Sequence, residues 1–325
     1  MHQESILRLK KLLEYNFFPL YFVSHFTLDY YRTYVIVKSL RPIFNFKNLI
    51  DLPVERYKTS DTLFILGSGS SISSYSKKHW DIIQNHDSIG FNFWPVHDFI
   101  PTYYQVEIPQ ANLDRVTTLA KIINFKQNAY RNVPIILKSY HITPSRRDSF
   151  FQALNESYLP NIYVSPMIPI PGLAIATKRK SIEFLDRLGY FDTGKCFNSV
   201  TGWASSVSDL VHIAVKFGYK NIVLCGVDLN DSRYFYEVDS KYYESKGVPV
   251  PENIFNEDSK HTVTTGVILL DEAPEWGAVK LQHTLYILNE VVLKAKGINL
   301  SVALKSSALF PRLPEYFNDK LLSSS

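Results

Sequence analysis

The chain has 325 residues, 46% of them hydrophobic, 14% aromatic and 20% charged, a balance that supports a sizeable buried core and excludes wholesale disorder, a secreted mini-protein and a coiled coil. Two cysteines, Cys196 and Cys225, exclude a disulfide framework and a four-ligand zinc site and point to a reducing, cytoplasmic setting; no run approaches the length of a membrane span, and no signal-peptide layout is visible at the start. The net charge of +4 sits in residues 1–60, which hold nine Lys/Arg against five Asp/Glu, while the remaining 265 residues are balanced at 26 against 26.

Ser5 is placed to cap a helix with Ile6, Leu9, Leu12 and Leu13 on one face. The aromatic stretch 17–23 and the pair Tyr30-Tyr31 follow. This basic, aromatic piece reads in two ways: as an amphipathic helix pair packed on the domain, or as a peripheral contact with an anionic membrane surface. Its aromatics are not interleaved with a dense basic stripe, so no nucleic-acid partner is expected. Residues 62–66 form a continuous apolar run that ends in Gly67-Ser68-Gly69-Ser70-Ser71, the pattern of a buried parallel strand entering a tight loop. A helix carrying Trp80, Ile82 and Ile83 is predicted next, then strands at 88–92 and 103–108, a helix at 113–123 and a strand at 134–138. The Pro-rich stretch 140–177 reads as loop with a short strand at 161–165, and a helix at 178–188 stops at Gly189. Ser206-x-x-Asp209 resembles a capping box, opening a helix with Val207, Leu210, Val211, Ala214 and Val215 on its apolar face and Gly218 at its end. Residues 221–228 make a second buried strand that runs into Gly226. Residues 229–265 are polar, tyrosine-rich and aperiodic, the character of a lid. A helix at 275–296, a strand at 299–304 and a tail at 313–325 complete the chain.

The expected fold class is therefore α/β: one Rossmann-like, mostly parallel sheet over residues 61–312 with helices on both faces, a lid, and an N-terminal helical extension over 1–60. Ligands in such sheets bind beyond the carboxyl ends of the strands. There the 67–71 loop lets backbone approach an anion or sugar, and its serines add donors. Ile72 stands where a dinucleotide fingerprint needs its third glycine, and no Gly-Lys-Ser/Thr follows. Thr201, Ser205 and Ser206 flank a predicted helix N-terminus, suited to a phosphate or to simple capping. Asp228 and Asp231 have the spacing of a magnesium-holding pair or of structural supports for the turn. His261 is the imidazole in the lid, placed for general-base work near neutral pH. His283, His97 and Glu107 are the alternatives.

The segment 217–228 (Phe-Gly-Tyr-Lys-Asn-Ile-Val-Leu-Cys-Gly-Val-Asp) with Tyr234 and Tyr236 resembles the core of the bacterial sialyltransferases typified by the Campylobacter lipooligosaccharide enzymes, glycosyltransferase family 42. The 67–71 loop is similar to their Gly-Asn-Gly-Pro-Ser opening, Gly90-Phe91-Asn92-Phe93 to their Cys-Asn-Gln-Phe strand end, and 305–310 to their Asn-Ser-Leu-Leu element. The motifs fall in the family's order across about 62–310. The resemblance implies a GT-A-like variant of the fold. It also implies inverting transfer of an acidic sugar (sialic acid, a related nonulosonate or Kdo) from a CMP-activated donor, with no obligatory metal or other cofactor. It places Gly67, Ser68, Gly69, Ser70, Asn92, Thr201, Ser205, Ser206, Gly226 and Asp228 around the donor and Tyr234 or Tyr236 on the leaving phosphate; His261, the imidazole nearest to the family's base position, is the candidate base. Trp203 stands where the family has an arginine, Ile108 or Glu107 where it has an asparagine, Asn230 on its first lid tyrosine, and Thr265 on its catalytic histidine.

The function this implies is extension of a bacterial surface glycan, such as lipopolysaccharide, lipooligosaccharide or capsule. The enzyme would work at the inner face of the cytoplasmic membrane, with residues 1–60 as a possible membrane contact. A Mg/ATP-dependent pterin diphosphokinase-like enzyme and a non-catalytic nucleotide-sugar-binding protein are the alternatives. Oligomeric state is left open.

Overall fold

The computed structural model describes residues 17–108, 113–139, 144–172, 174–194, 199–202, 205–251 and 279–324. The chain begins there with helix α1 (Phe18–Phe44) and a two-residue strand β1 (Lys47–Asn48). Strand β2 (Thr62–Leu66), helix α2 (Lys77–Gln84), β3 (Asp87–Phe91), β4 (Tyr103–Glu107), α3 (Leu113–Phe125), β5 (Ile135–Lys138), α4 (Pro144–Ala153) and β6 (Ile162–Ser165) follow. Then come β7 (Met167–Pro169), α5 (Ile175–Arg187), β8 (Val200–Gly202), α6 (Ser206–Lys216) and β9 (Asn221–Cys225). The chain closes with α7 (Phe235–Val238), α8 (Ser240–Ser245), α9 (Leu281–Leu288), β10 (Asn299–Val302) and α10 (Asp319–Ser324).

Eight strands form one sheet in the order β1-β6-β5-β4-β3-β2-β9-β10, and every pairing in it is parallel. The predicted α/β class therefore holds, and the period-two rule explains how the sheet is covered. Along β2, Leu63 and Ile65 join a core with α5, α6 and α9 on one face. Phe64 and Leu66 join a second core with α2, α3 and α4 on the other. All five β2 side chains are buried, as a central parallel strand requires.

Several boundaries differ from the sequence expectation. Of the expected 1–60 extension, residues 1–16, with the predicted Ser5-capped helix, lie outside the described residues. Helix α1 is a single helix seated through Phe22, whose ring meets Phe184 edge-on at 4.9 Å, and β1 pairs with β6 as the edge strand of the sheet. Leu49 and Leu52 lie in the core, so residues 47–60 belong to the domain. The described part of the expected 313–325 tail packs on the domain: Leu313 and Phe317 are buried, and the amides of Tyr316 and Phe317 donate to the carbonyls of Val302 and Ala303 at 2.8 and 3.1 Å. The expected 140–177 loop contains α4 and β7, and β7 pairs with β8 in a separate two-stranded sheet. The described part of the expected lid, 229–251, carries α7 and α8 and buries Phe235, Tyr236 and Tyr243. The final helix starts at Leu281, widens into a π turn over Asn289–Leu293 and then tightens to a 3-10 turn ending at Lys296. Among the described residues no helix is long and apolar enough to cross a membrane.

Candidate functional site

From β2 the chain runs outward through β3, β4, β5 and β6, then returns to place β9 and β10 on the other side of β2. The sheet thus reverses between β2 and β9, and the loops leaving those two strands face each other at their carboxyl ends. The Gly67 amide donates to the Cys225 carbonyl at 2.8 Å and the Gly69 amide to the Gly226 carbonyl at 2.9 Å. Gly226 sits at φ +61°, and a β-carbon there would stand 2.6 Å from the Gly67 oxygen and 2.7 Å from Ile72. Only glycine combines that left-handed backbone with that close an approach. The two glycine loops singled out in the sequence are one structural unit.

A third segment closes on this unit. Gly69 and Tyr234 form an antiparallel bridge, and the Phe235 amide donates to the Ser68 carbonyl at 3.0 Å. Tyr234 and Tyr236 stack with ring centroids 4.8 Å apart. Their exposures differ. Tyr234 is half-buried, whereas Tyr236 is wholly buried, 6.3 Å from the Phe93 ring, and burial raises its hydroxyl well above the usual tyrosine range. Asn92 lies at the end of β3 with φ +52°. Its amide donates to the Gln105 carbonyl at 3.0 Å, while its Oδ1 is buried with no hydrogen-bond partner among the described residues. A buried polar atom in that state is poised for a ligand or water.

Asp228 and Asp231 are committed to the serines. The Asp228 carboxylate accepts from the Ser71 amide at 3.0 Å and from the Ser71 hydroxyl at 2.6 Å. Burial nonetheless raises it above its ordinary value, against those two bonds. Asp231 accepts from the Ser70 hydroxyl at 2.7 Å and pairs with Arg233 at 2.7 Å; the Arg233 hydrogen bonds hold it below the usual carboxylate range. Asp228 therefore braces the 67–71 loop. Among the described residues no group of three or more His, Cys, Asp or Glu is placed to hold a metal ion.

At the helix N-terminus one of the two expected serine caps forms, and the capping box does not. Ser205, not Ser206, is the cap of α6, its hydroxyl accepting from the Val207 amide at 3.2 Å. The Ser206 hydroxyl donates instead to Glu107 Oε2 at 2.7 Å, and Asp209 turns to Lys138 Nζ at 3.1 Å. No Ser206–Asp209 capping box forms. Thr201 faces inward: it is buried, and its amide meets His212 Nδ1 at 2.8 Å. Lys138 is buried, 2.9 Å from Glu107 and 3.1 Å from Asp209. Burial works against its ammonium, but Asp209 and Glu107 outweigh that and raise it above the lysine range. Burial likewise lifts Asp209 to about 6, although Lys138 pulls the other way.

Of the candidate bases, His261 and Thr265 lie outside the described residues, as does Trp203. His97 is a core residue. It packs on Trp80 and Trp94, its Nδ1 accepts from the Phe99 amide at 3.0 Å, and burial lowers it to about 4. His283 on α9 is lowered by burial and by Lys280 and Arg312. Glu107 keeps a partly exposed carboxylate at the end of β4.

The residues missed from sequence are Arg115, Lys138 and Asp209. Arg115 on α3 is buried, its guanidinium 4.6 Å over the Phe93 ring and beside Tyr236. Its signal was present: it stands four and seven residues before Leu119 and Ile122, on the apolar stripe of its helix.

No family model matches this chain, and no curated protein matches it. Among solved structures it is similar to the monofunctional alpha-2,3-sialyltransferase Cst-I from Campylobacter jejuni, at 14% identity over 79% of this chain and 81% of that chain, with a TM-score of 0.39.

Proposed function

We propose that this chain is a glycosyltransferase that moves an acidic sugar from a CMP-activated donor to a bacterial surface glycan. The observation that supports this best is the joining of the 67–71 loop, the Gly226 turn and the Tyr234 segment into one unit at the sheet reversal. These are three of the segments that carry the family resemblance, and open α/β sheets take ligands at such a reversal. Asn92, the fourth, leads into Phe93, which packs near Tyr236. In this reading His261 removes the acceptor hydroxyl proton as that oxygen attacks the anomeric carbon, and the bond to the CMP phosphate breaks with inversion. Tyr234 and Ser68 of the 67–71 loop stabilise the departing phosphate, which needs no metal. Arg115 supplies the positive charge that Trp203 cannot.

A thermal-shift panel of CMP, UDP, GDP, ADP and ATP, with and without Mg²⁺, tests the donor. At about 100 times its Kd, CMP should stabilise the protein by about 2.7 kcal/mol, without metal. A Mg²⁺-dependent ATP response instead would overturn the reading in favour of a diphosphokinase. CMP binding without transfer from any CMP-sugar would leave a binding protein. His261→Ala is expected to lower turnover at least about 100-fold with CMP affinity unchanged; near-normal turnover moves the base, with Glu107 next in line. Arg115→Met is expected to weaken CMP binding about tenfold or more, as loss of a charge-assisted contact does, with Arg115→Lys retaining most of it.

A further inference from the structure

Helix α1 has two opposed faces. Phe22, Phe26, Thr33 and Val37 turn toward the domain: Phe22 stacks on Phe26 at 5.4 Å, Phe26 meets Tyr190 edge-on at 5.6 Å, and Thr33 donates to the Met167 carbonyl at 3.4 Å. On the opposite side of the helix stand Leu20, Val23, Leu28, Tyr31, Tyr34 and Val35. All are exposed, Leu20 at 64% and Tyr31 at 65%. With Phe17, this row runs about 27 Å along the helix. A soluble helix normally presents polar residues there, and exposed apolar surface of that extent marks an interaction site.

The α1–α5 seam also carries exposed apolar surface. Phe184 on α5, itself partly exposed, packs against Phe22, and Leu188 just past the helix end is exposed. Lys180 lies 5.9 Å over the Phe18 ring at the same seam. Arg32, Lys38, Lys180 and Arg187 are all exposed around this surface, and none is ion-paired among the described residues. The whole excess positive charge of the chain falls in the N-terminal segment that includes α1.

We propose that the outer face of α1, with the adjoining α1–α5 seam, is the surface by which this protein lies on an anionic phospholipid bilayer. The chemistry is that of an interfacial helix. The aliphatic side chains enter the boundary between headgroups and acyl chains, tyrosines sit at headgroup level, and flanking cations meet lipid phosphates. A second copy of the chain would bury the aliphatic row but would set these cations against one another, and that favours lipid. The surface lies on α1 and α5, apart from the carboxyl-end loops, so the inference stands whatever nucleotide the site takes.

The test is co-sedimentation of the full chain with vesicles of phosphatidylcholine alone and of phosphatidylcholine with 30% phosphatidylglycerol, about the range in which surface charge matters. The wild type is expected to partition at least about tenfold more strongly to the anionic vesicles and to lose that advantage at about 1 M salt, where the screening length falls to about 3 Å. Leu20→Glu/Tyr31→Glu should abolish partitioning to both vesicle types. Arg32→Glu/Lys180→Glu should remove only the anionic preference, about tenfold or more. Both variants should keep the wild-type thermal midpoint. Equal partitioning of wild type and variants overturns the proposal. So does a lowered midpoint in Leu20→Glu/Tyr31→Glu, because the face would then be covered by the chain itself, and so does a concentration-dependent dimer that the same variant dissolves.

Discussion

Replacing Lys138 with methionine is expected to destabilise the protein by about 3–5 kcal/mol, the cost of leaving buried carboxylate charge without its partner. Lys138 stands between Glu107 at 2.9 Å and Asp209 at 3.1 Å. Glu107 is partly exposed and can take up water, whereas Asp209 is buried, so most of the deficit falls on Asp209. Urea unfolding at pH 8 measures it. The deficit should shrink toward pH 5, because Asp209 already titrates near 6 in the folded wild type and climbs further once the ammonium is gone. The same shift sets the slope in the wild type. The folded state holds this proton more tightly than the unfolded chain does, so stability contributed by the group is greatest below the ordinary carboxylate value and is lost as pH rises through about 6. Asp209→Asn should flatten that slope. A Lys138→Met/Asp209→Leu pair should recover most of the loss, as apolar replacement of buried ion pairs does. A Lys138→Met protein as stable as wild type at pH 8 would mean the cluster is hydrated.

Gly226→Val is expected to cost about 3 kcal/mol or more. A β-branched residue at φ +61° is strained by about 1–3 kcal/mol, and its β-carbon would collide with the Gly67 carbonyl, a backbone atom that cannot rotate away. Gly247→Ala is the control. It also has a positive φ, +70°, but no atom lies within 4 Å of the added carbon, so only a penalty of about 1 kcal/mol is expected. Thermal unfolding separates the two. The Gly226 variant should also lose its response to CMP, since the 67–71 loop is fastened to the Gly226 turn; a retained response would detach the donor site from that turn.

What the sequence made legible was set by the length and contrast of each pattern. β2 and β9 each carry four consecutive apolar residues followed by glycine, and their strand character and buried setting could be read directly, as could the helix that ends at Gly218. β1, β7 and β8 are two or three residues long, too short for any alternation to register. α4 is Pro-Ser-Arg-Arg-Asp-Ser-Phe-Phe-Gln-Ala, polar at its start and helical through packing of Phe150 and Phe151 rather than propensity. The one-residue slip from Ser206 to Ser205 at the cap arose because two serines are equivalent on propensity alone; the partner at Glu107, 99 residues earlier, decides between them. The site was partly legible for the same reason. Glycines and tyrosines announce themselves by type, but Arg115, Lys138 and Asp209 look like surface charges until one asks which helix or strand face carries them. Nearly every residue of α6 from Ser206 to Val215 is buried, so a charge anywhere on it must have a partner.

The place of β2 in the sheet also bears on how the chain is made. β2 pairs with β3 some 25 residues on, but its other edge waits for β9, with Thr62 opposite Asn221. A ribosome adding about 5–20 residues per second needs roughly ten to thirty seconds to bridge that interval. Throughout it the nascent chain can assemble the β2-to-β6 half while the strand destined for the middle of the sheet keeps an open edge of unpaired backbone N–H and C=O groups. Such an edge invites pairing with another nascent chain. The same geometry that sets two glycine loops side by side thus makes the late-arriving β9 the step that closes the molecule to its neighbours.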